Sequence, residues 1–142
     1  MLARYRRALT LGVRAVVLDP DRGVLLIKHS YTPGWHFPGG GVEPRESIGE
    51  ALARELEEES GIALTGEAEL FGLYHQRRYP ARDHVAVYIC RRWRQARQPK
   101  LPNLEIVDSR FFALDALPED ITGATRRRVA EILDGVPRSA EW

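Results

Sequence analysis

Cysteine is nearly absent from this sequence. Cys90 stands alone among 142 residues, which excludes a disulfide framework or a Cys-based zinc site within the chain. An excess of either charge is missing too: 21 Lys and Arg face 20 Asp and Glu, for a formal net charge of +1. No global field therefore draws in nucleic acid or an anionic membrane, and any anion site has to be local. Long hydrophobic runs are also lacking. The apolar stretch 9–18 is interrupted by Arg14 and ended by Asp19, which rules out a membrane span or a signal peptide. There is no internal repeat, low-complexity stretch or interdomain linker. What is present, 44% hydrophobic and 29% charged residues, is the composition of one soluble globular domain over residues 1–142. A lone thiol in an apolar run fits a reducing cytoplasm.

Local patterns divide the chain into elements. Residues 9–18 and 24–28 are β-branched and apolar on either side of Asp19-Pro-Asp-Arg-Gly23, which predicts a β-hairpin. Residues 31–41 hold too much Pro and Gly for a helix and read as a shaped loop. Ser47 with Glu50 forms a capping box, helix formers run through Ser60, and Gly61 offers the C-terminal cap, so a helix of about three and a half turns is expected. Further strands are expected at 69–78, 84–93 and 105–112. A second helix is expected at 122–133, with Val129, Ile132 and Leu133 on one stripe, and the residues after about 137 should fray as a short flexible tail. Periodicity alone gives an α+β domain.

The first helix carries the most informative cluster. On a wheel of about 100° per residue, Glu58 and Glu59 fall within roughly 60° on either side of Glu55. Glu59 lies among Ile48, Leu52 and Leu56, whereas Glu50 and Glu57 point away. Three carboxylates on one face repel one another, more strongly when partly buried. A hard divalent cation would neutralise them, but a solvated acidic face describes most Glu-rich helices, and the helix alone favours that plainer reading.

The wider spacing changes the balance. Gly40, Glu46, Arg54, Glu55, Leu56, Glu58, Glu59, Gly61 and Ile62 resemble the Nudix box at all nine of its specified positions over 23 residues. Chance agreement is on the order of one in a million or less. Trp35-His-Phe-Pro-Gly-Gly40 is similar to the family's usual approach to the box. The resemblance, to MutT-like Nudix hydrolases, implies an α/β/α sandwich with a mixed central β-sheet. It implies Mg²⁺-dependent hydrolysis, with Mn²⁺ also accepted, of a pyrophosphate bond in a nucleoside diphosphate linked to another moiety: a dinucleoside polyphosphate, an NDP-sugar or ADP-ribose, or a (d)NTP. By position, Glu55, Glu58 and Glu59 would hold the metal with the carbonyl of Gly39, and Glu55 would also orient or deprotonate water. Arg54 would brace Glu55 or Glu58, and Glu46 would support the loop and the helix start. No Walker loop is present, so hydrolysis is favoured over transfer.

Outside the box, Glu105 is a candidate extra metal ligand or base, with a solvated loop carboxylate as the equal alternative. Tyr31, Trp35, Tyr79 and Tyr88 are candidates to stack on a base, and Arg77, Arg78 and Arg82 to grip distal phosphates. Tyr79, 17 residues beyond Ile62, resembles a marker of the dinucleoside polyphosphate branch. Pro80 is slightly displaced from an ADP-ribose marker, and the coenzyme A pattern is missing. Residues 91–94 and 126–128 are read as surface charge, and His29, His36, His75 and His84 have no ligand spacing. The expected partner is a small nucleotide, with neither polymer nor membrane, and many relatives dimerise. Two other classes compete: a Nudix-like nucleotide or ADP-ribose sensor without catalysis, and a nucleic-acid module whose binding would depend steeply on salt.

Overall fold

A computed structural model describes residues 8–78 and 83–142. Its strands are β1 (Thr10–Asp19), β2 (Gly23–His29), β3 (Trp35–His36), β4 (Gly39–Gly41), β5 (Ile62–Leu64), β6 (Glu69–Gln76), β7 (Asp83–Cys90), β8 (Trp93–Gln95) and β9 (Ile106–Phe112), and its helices are α1 (Ile48–Ser60) and α2 (Gly123–Leu133). The expected hairpin forms, but only its turn end is paired: Leu18 faces Val24 and Asp19 faces Gly23. The two strands then part. β1 runs parallel to β7 from Thr10↔Asp83 to Val17↔Cys90, while β2 pairs antiparallel with β9 and β3. With β6 antiparallel to β7 and β4 antiparallel to β1, seven strands make one mixed sheet, beside a small β5–β8 ribbon.

The alternation along β1 explains the layers. Val16 and Leu18 join Leu26, Phe37, Tyr74, Val87 and Val129 in one buried cluster, which takes in α2. Val13, Ala15 and Val17 point the other way, into a second cluster with Leu25, Leu52, Leu56 and Ile62, which takes in α1. Successive β-strand side chains face opposite sides, so a strand apolar on both faces requires a cover on each. The result is the expected α/β/α sandwich around a mixed sheet. Among the described residues, no helix is long and apolar enough to cross a membrane.

Both helix boundaries follow their local signals. Both bonds of the Ser47–Glu50 capping box are made, and Gly61 closes α1 at φ 68°. Thr122 caps α2 by accepting the N–H of Thr125. Three expectations need correction. The glycine-rich segment is not only a loop, because Gly39–Gly41 pairs with β1. The tail after 137 does not fray: His75 donates its N–H to the carbonyl of Ala140 at 2.8 Å and accepts that of Trp142 at 2.9 Å, which covers the free edge of β6. Finally, Arg128 is not surface charge. It is 0% exposed, because Glu131 and the rings of Tyr74 and Trp142 surround its guanidinium.

Candidate active site

The pairing of β4 with β1 brings the glycine segment onto the second to fourth turns of α1's inner face. A Cβ on Gly40 would lie 2.4 Å from Glu55 Oε1, so only glycine lets that carboxylate rest against the backbone. One residue earlier, the N–H of Gly39 donates to Glu59 Oε1 at 2.7 Å. Glu55 and Glu59 therefore meet the same short strand. Glu58 stands at the rim, its side chain 56% exposed, with Oε2 at 3.6 Å from Arg54 Nη1.

Arg54 organises the outer half of the cluster. It donates to Glu46 Oε2 at 2.7 Å and Oε1 at 2.9 Å, to Glu55 Oε1 at 2.9 Å and to the carbonyl of Gly41 at 3.1 Å. Glu46 also accepts the N–H of Glu43 at 3.0 Å. A planar guanidinium with several donors suits such a clamp. Its hydrogen bonds hold the Glu46 carboxyl down at about 2.

The inner half is more deeply buried. Burial pushes the Glu59 carboxyl up to about 8, against the opposing pull of the Gly39 N–H, and burial raises Glu55 as well. Beneath them lies Arg14, which donates to the carbonyl of Phe37 at 2.9 Å and whose Cδ would be 2.9 Å from a Cβ on Gly39. His29 Nε2 sits 3.4 Å from Glu59 Oε2, and burial lowers its pKa to about 4, so the imidazole is neutral near pH 7.

These residues fit a divalent cation. Among the described residues, no three acidic, His or Cys side chains close a complete cage. Mg²⁺ does not need one, since it is commonly held by one or two carboxylates together with waters and substrate phosphates. Two desolvated carboxylates on a glycine strand, with a third at the rim, match that donor set.

The other candidates scatter. Trp35 is withdrawn from the stacking set, because it is buried and packs edge-to-face on Phe112 with ring centroids 4.8 Å apart. Tyr88 is half-buried against the α1-side core. Tyr31 is exposed, with its ring 5.2 Å from that of His29. Arg77 pairs with Glu141 at 2.9 Å, whereas Arg78 lines a cavity shared with Arg14. Tyr79, Pro80 and Arg82 lie outside the described residues. Glu105 is exposed and touches the site's edge only through its backbone, where its carbonyl accepts the N–H of Ser30 at 2.9 Å. Sequence reasoning missed Arg14 and His29. The signal for Arg14 was there, since a lone charge in the middle of an apolar strand needs a buried counterpart.

Comparison with known proteins agrees with this geometry. The model of the NUDIX domain matches residues 8–132. A Bacillus subtilis (strain 168) protein described as a candidate 8-oxo-dGTP diphosphatase is 36% identical over 76 residues, which are 54% of this chain and 50% of that protein. A Rattus norvegicus diphosphoinositol polyphosphate phosphohydrolase 2 is 42% identical over 84 residues, covering 58% and 44% of the two chains. The chain thus spans half or less of the length of these two curated relatives. The crystal structure of a MutT NUDIX hydrolase from Burkholderia pseudomallei superposes with a TM-score of 0.74 at 30% identity, covering 88% of this chain and 98% of that one. Nudix hydrolases generally work with divalent metal ions. With its box folded onto the glycine strand and 125 consecutive residues matched, the chain belongs to the NUDIX domain family.

Proposed function

We propose that this protein hydrolyses a phosphoanhydride bond in a nucleoside diphosphate linked to another moiety, with Glu55, Glu58, Glu59 and the carbonyl of Gly39 holding Mg²⁺ or Mn²⁺. The observation that carries the reading is the convergence of Glu55 and Glu59 on Gly39 and Gly40, which sets two desolvated carboxylates against one short strand, where a divalent cation would relieve both. The ligands are oxygens throughout, which suits Mg²⁺ and accepts Mn²⁺. When bound, the ion neutralises the charge of the diphosphate and makes a hydroxide available near neutral pH.

The chain's own residues do the rest. Arg54 fixes Glu55 by its Oε1 and leaves Oε2 to take the proton of the attacking water. Burial lifts Glu55 toward the range where a carboxylate serves as a general base. Glu46 acts only through Arg54, as a positioning residue. The names of the two curated relatives span an oxidised nucleotide and a diphosphoinositol polyphosphate, so the box itself does not choose the substrate. We place the activity in a reducing cytoplasm, in one domain acting on small nucleotides, and leave room for a homodimer of the kind many relatives form.

The test is product formation from a panel of dinucleoside polyphosphates, NDP-sugars and (d)NTPs with Mg²⁺. Turnover by the native chain should fall by about a hundredfold or more in Glu55→Gln and in Glu58→Gln. Tight binding without turnover across the panel would instead favour the sensor.

A further inference from the structure

A cavity of about 380 Å³ has walls that include Arg14, His36, Arg78, Gly123, Arg127 and Trp142. That volume falls in the range of small-molecule sites. Arg14 ties the cavity to the cluster, because the same side chain lies against Gly39 and feels the charges of Glu55 and Glu59. His36 provides a second connection: its ring is 5.8 Å from that of His29, which in turn contacts Glu59.

The charge of the lining is one-sided. Three of its residues are arginines and none is Asp or Glu, in a chain whose net charge is only +1. Two of the guanidinium groups keep donors beyond those they use: Arg127 donates Nη2 to the main-chain oxygen of Trp142 at 2.9 Å, and Arg14 donates Nη1 to the carbonyl of Phe37. A purine or sugar would offer these groups no charge to meet. A phosphate would meet all three with charge-assisted bonds.

We propose that this cavity is a subsite for a phosphate group of the substrate other than the two joined by the anhydride that is cleaved. The proposal rests on the hydrolase reading for the position of that anhydride, at the glutamates. It deepens that reading by narrowing the substrate class to compounds with phosphate beyond the scissile pair. The additional group is either a further member of a polyphosphate chain, carrying one negative charge, or a phosphate monoester on the sugar, carrying up to two, since both present anionic oxygens that accept from guanidinium groups.

Two matched pairs distinguish these sources. Diadenosine tetraphosphate is compared with the diphosphate, and a dinucleotide bearing a ribose 2′-phosphate with the same compound lacking it. The phosphate-richer member of at least one pair should have a KM lower by about tenfold or more, and the pair that shows it names the source. Arg78→Ala and Arg127→Ala should each erase most of that preference, raising the KM of the phosphate-richer member more than they lower kcat. Arg78 is exposed, so its variant keeps the test clear of any loosening of the tail held by Arg127. A second readout needs no turnover: inorganic tripolyphosphate should bind the chelator-treated protein in calorimetry, about tenfold more weakly in either arginine variant. Equal KM values within both pairs, or tripolyphosphate binding indifferent to both arginines, would overturn the subsite while leaving intact any turnover that Glu58→Gln abolishes. Conversely, arginine-dependent tripolyphosphate binding in a protein that hydrolyses nothing would support the subsite and sink the hydrolase.

Discussion

Glu59 joins the core and the site in one side chain. It is only 5% exposed, and its neighbours offer one backbone N–H and a neutral imidazole. Burial therefore lifts its carboxyl from 4.5 to about 8. A folded-state value above the unfolded one means that the native state holds a proton the unfolded chain has released, so this contribution to stability is complete below pH 4.5 and is lost as pH rises through 8. His29 slopes the other way, from 6.5 down to about 4, but above pH 6.5 it is neutral in both states. Between pH 6.5 and 8.5, the chelator-treated protein should lose Tm by an amount on the order of a few degrees. Glu59→Gln, which still accepts the Gly39 N–H, should flatten that decline, and Mg²⁺ should raise Tm more at pH 8.5 than at 6.5. Thermal scans giving the same slope in native and variant protein would contradict the assignment. At this scale the box residues were legible because their spacing is local. His29 was not, because only the β2–β9 pairing and the packing of α1 bring it to Glu59.

The elements show the same division between local and distant information. α1 could be read almost to the residue, since Ser47, Glu50 and Gly61 each act within one turn of the helix end. Removing the cap tests that directly. Ser47→Ala abolishes the bond from the Glu50 N–H to Ser47 Oγ at 3.1 Å and should cost about 1 kcal/mol in denaturant unfolding. The cluster on the second to fourth turns should then lose little activity while the protein remains folded; a loss of activity matching that of Glu58→Gln would mean that the cap positions the site directly. The sheet was less legible. Nothing in residues 9–28 says that the hairpin strands part after two pairs, because β1 is claimed by β4 and β7, far along the chain. Residues 39–41 read as loop because glycine carries no strand preference, and their strand exists to let Glu55 approach.

For the molecule as a whole, the C-terminal segment is what couples α2 to the sheet. Arg128 lies under the ring of Tyr74 at 4.2 Å and donates to Glu131 Oε2 at 3.1 Å and to the carbonyl of Glu141 at 3.1 Å. Its Nε, 3.0 Å from Glu131 Oε1, makes an ion-pair contact without hydrogen-bond geometry. Glu131 also accepts from Tyr74 Oη at 2.7 Å and from the N–H of Ser139 at 2.9 Å. One buried pair thus links helix, sheet and tail. The i,i+3 spacing of the pair is local, but its burial could not be read from the sequence, because Glu141 and Tyr74, which cover Arg128, stand 13 and 54 residues away. Arg128→Met keeps the volume but strands the Glu131 carboxylate, which should destabilise the fold by about 3 to 5 kcal/mol. Adding Glu131→Gln removes that uncompensated charge while preserving an acceptor for Tyr74, so the double variant should regain part of the loss. Because Trp142 and Arg127 line the arginine-rich cavity, the single variant should also raise KM more than it lowers kcat. A single variant as stable as the native chain in urea unfolding would show that the pair fixes the tail's position without supporting the fold.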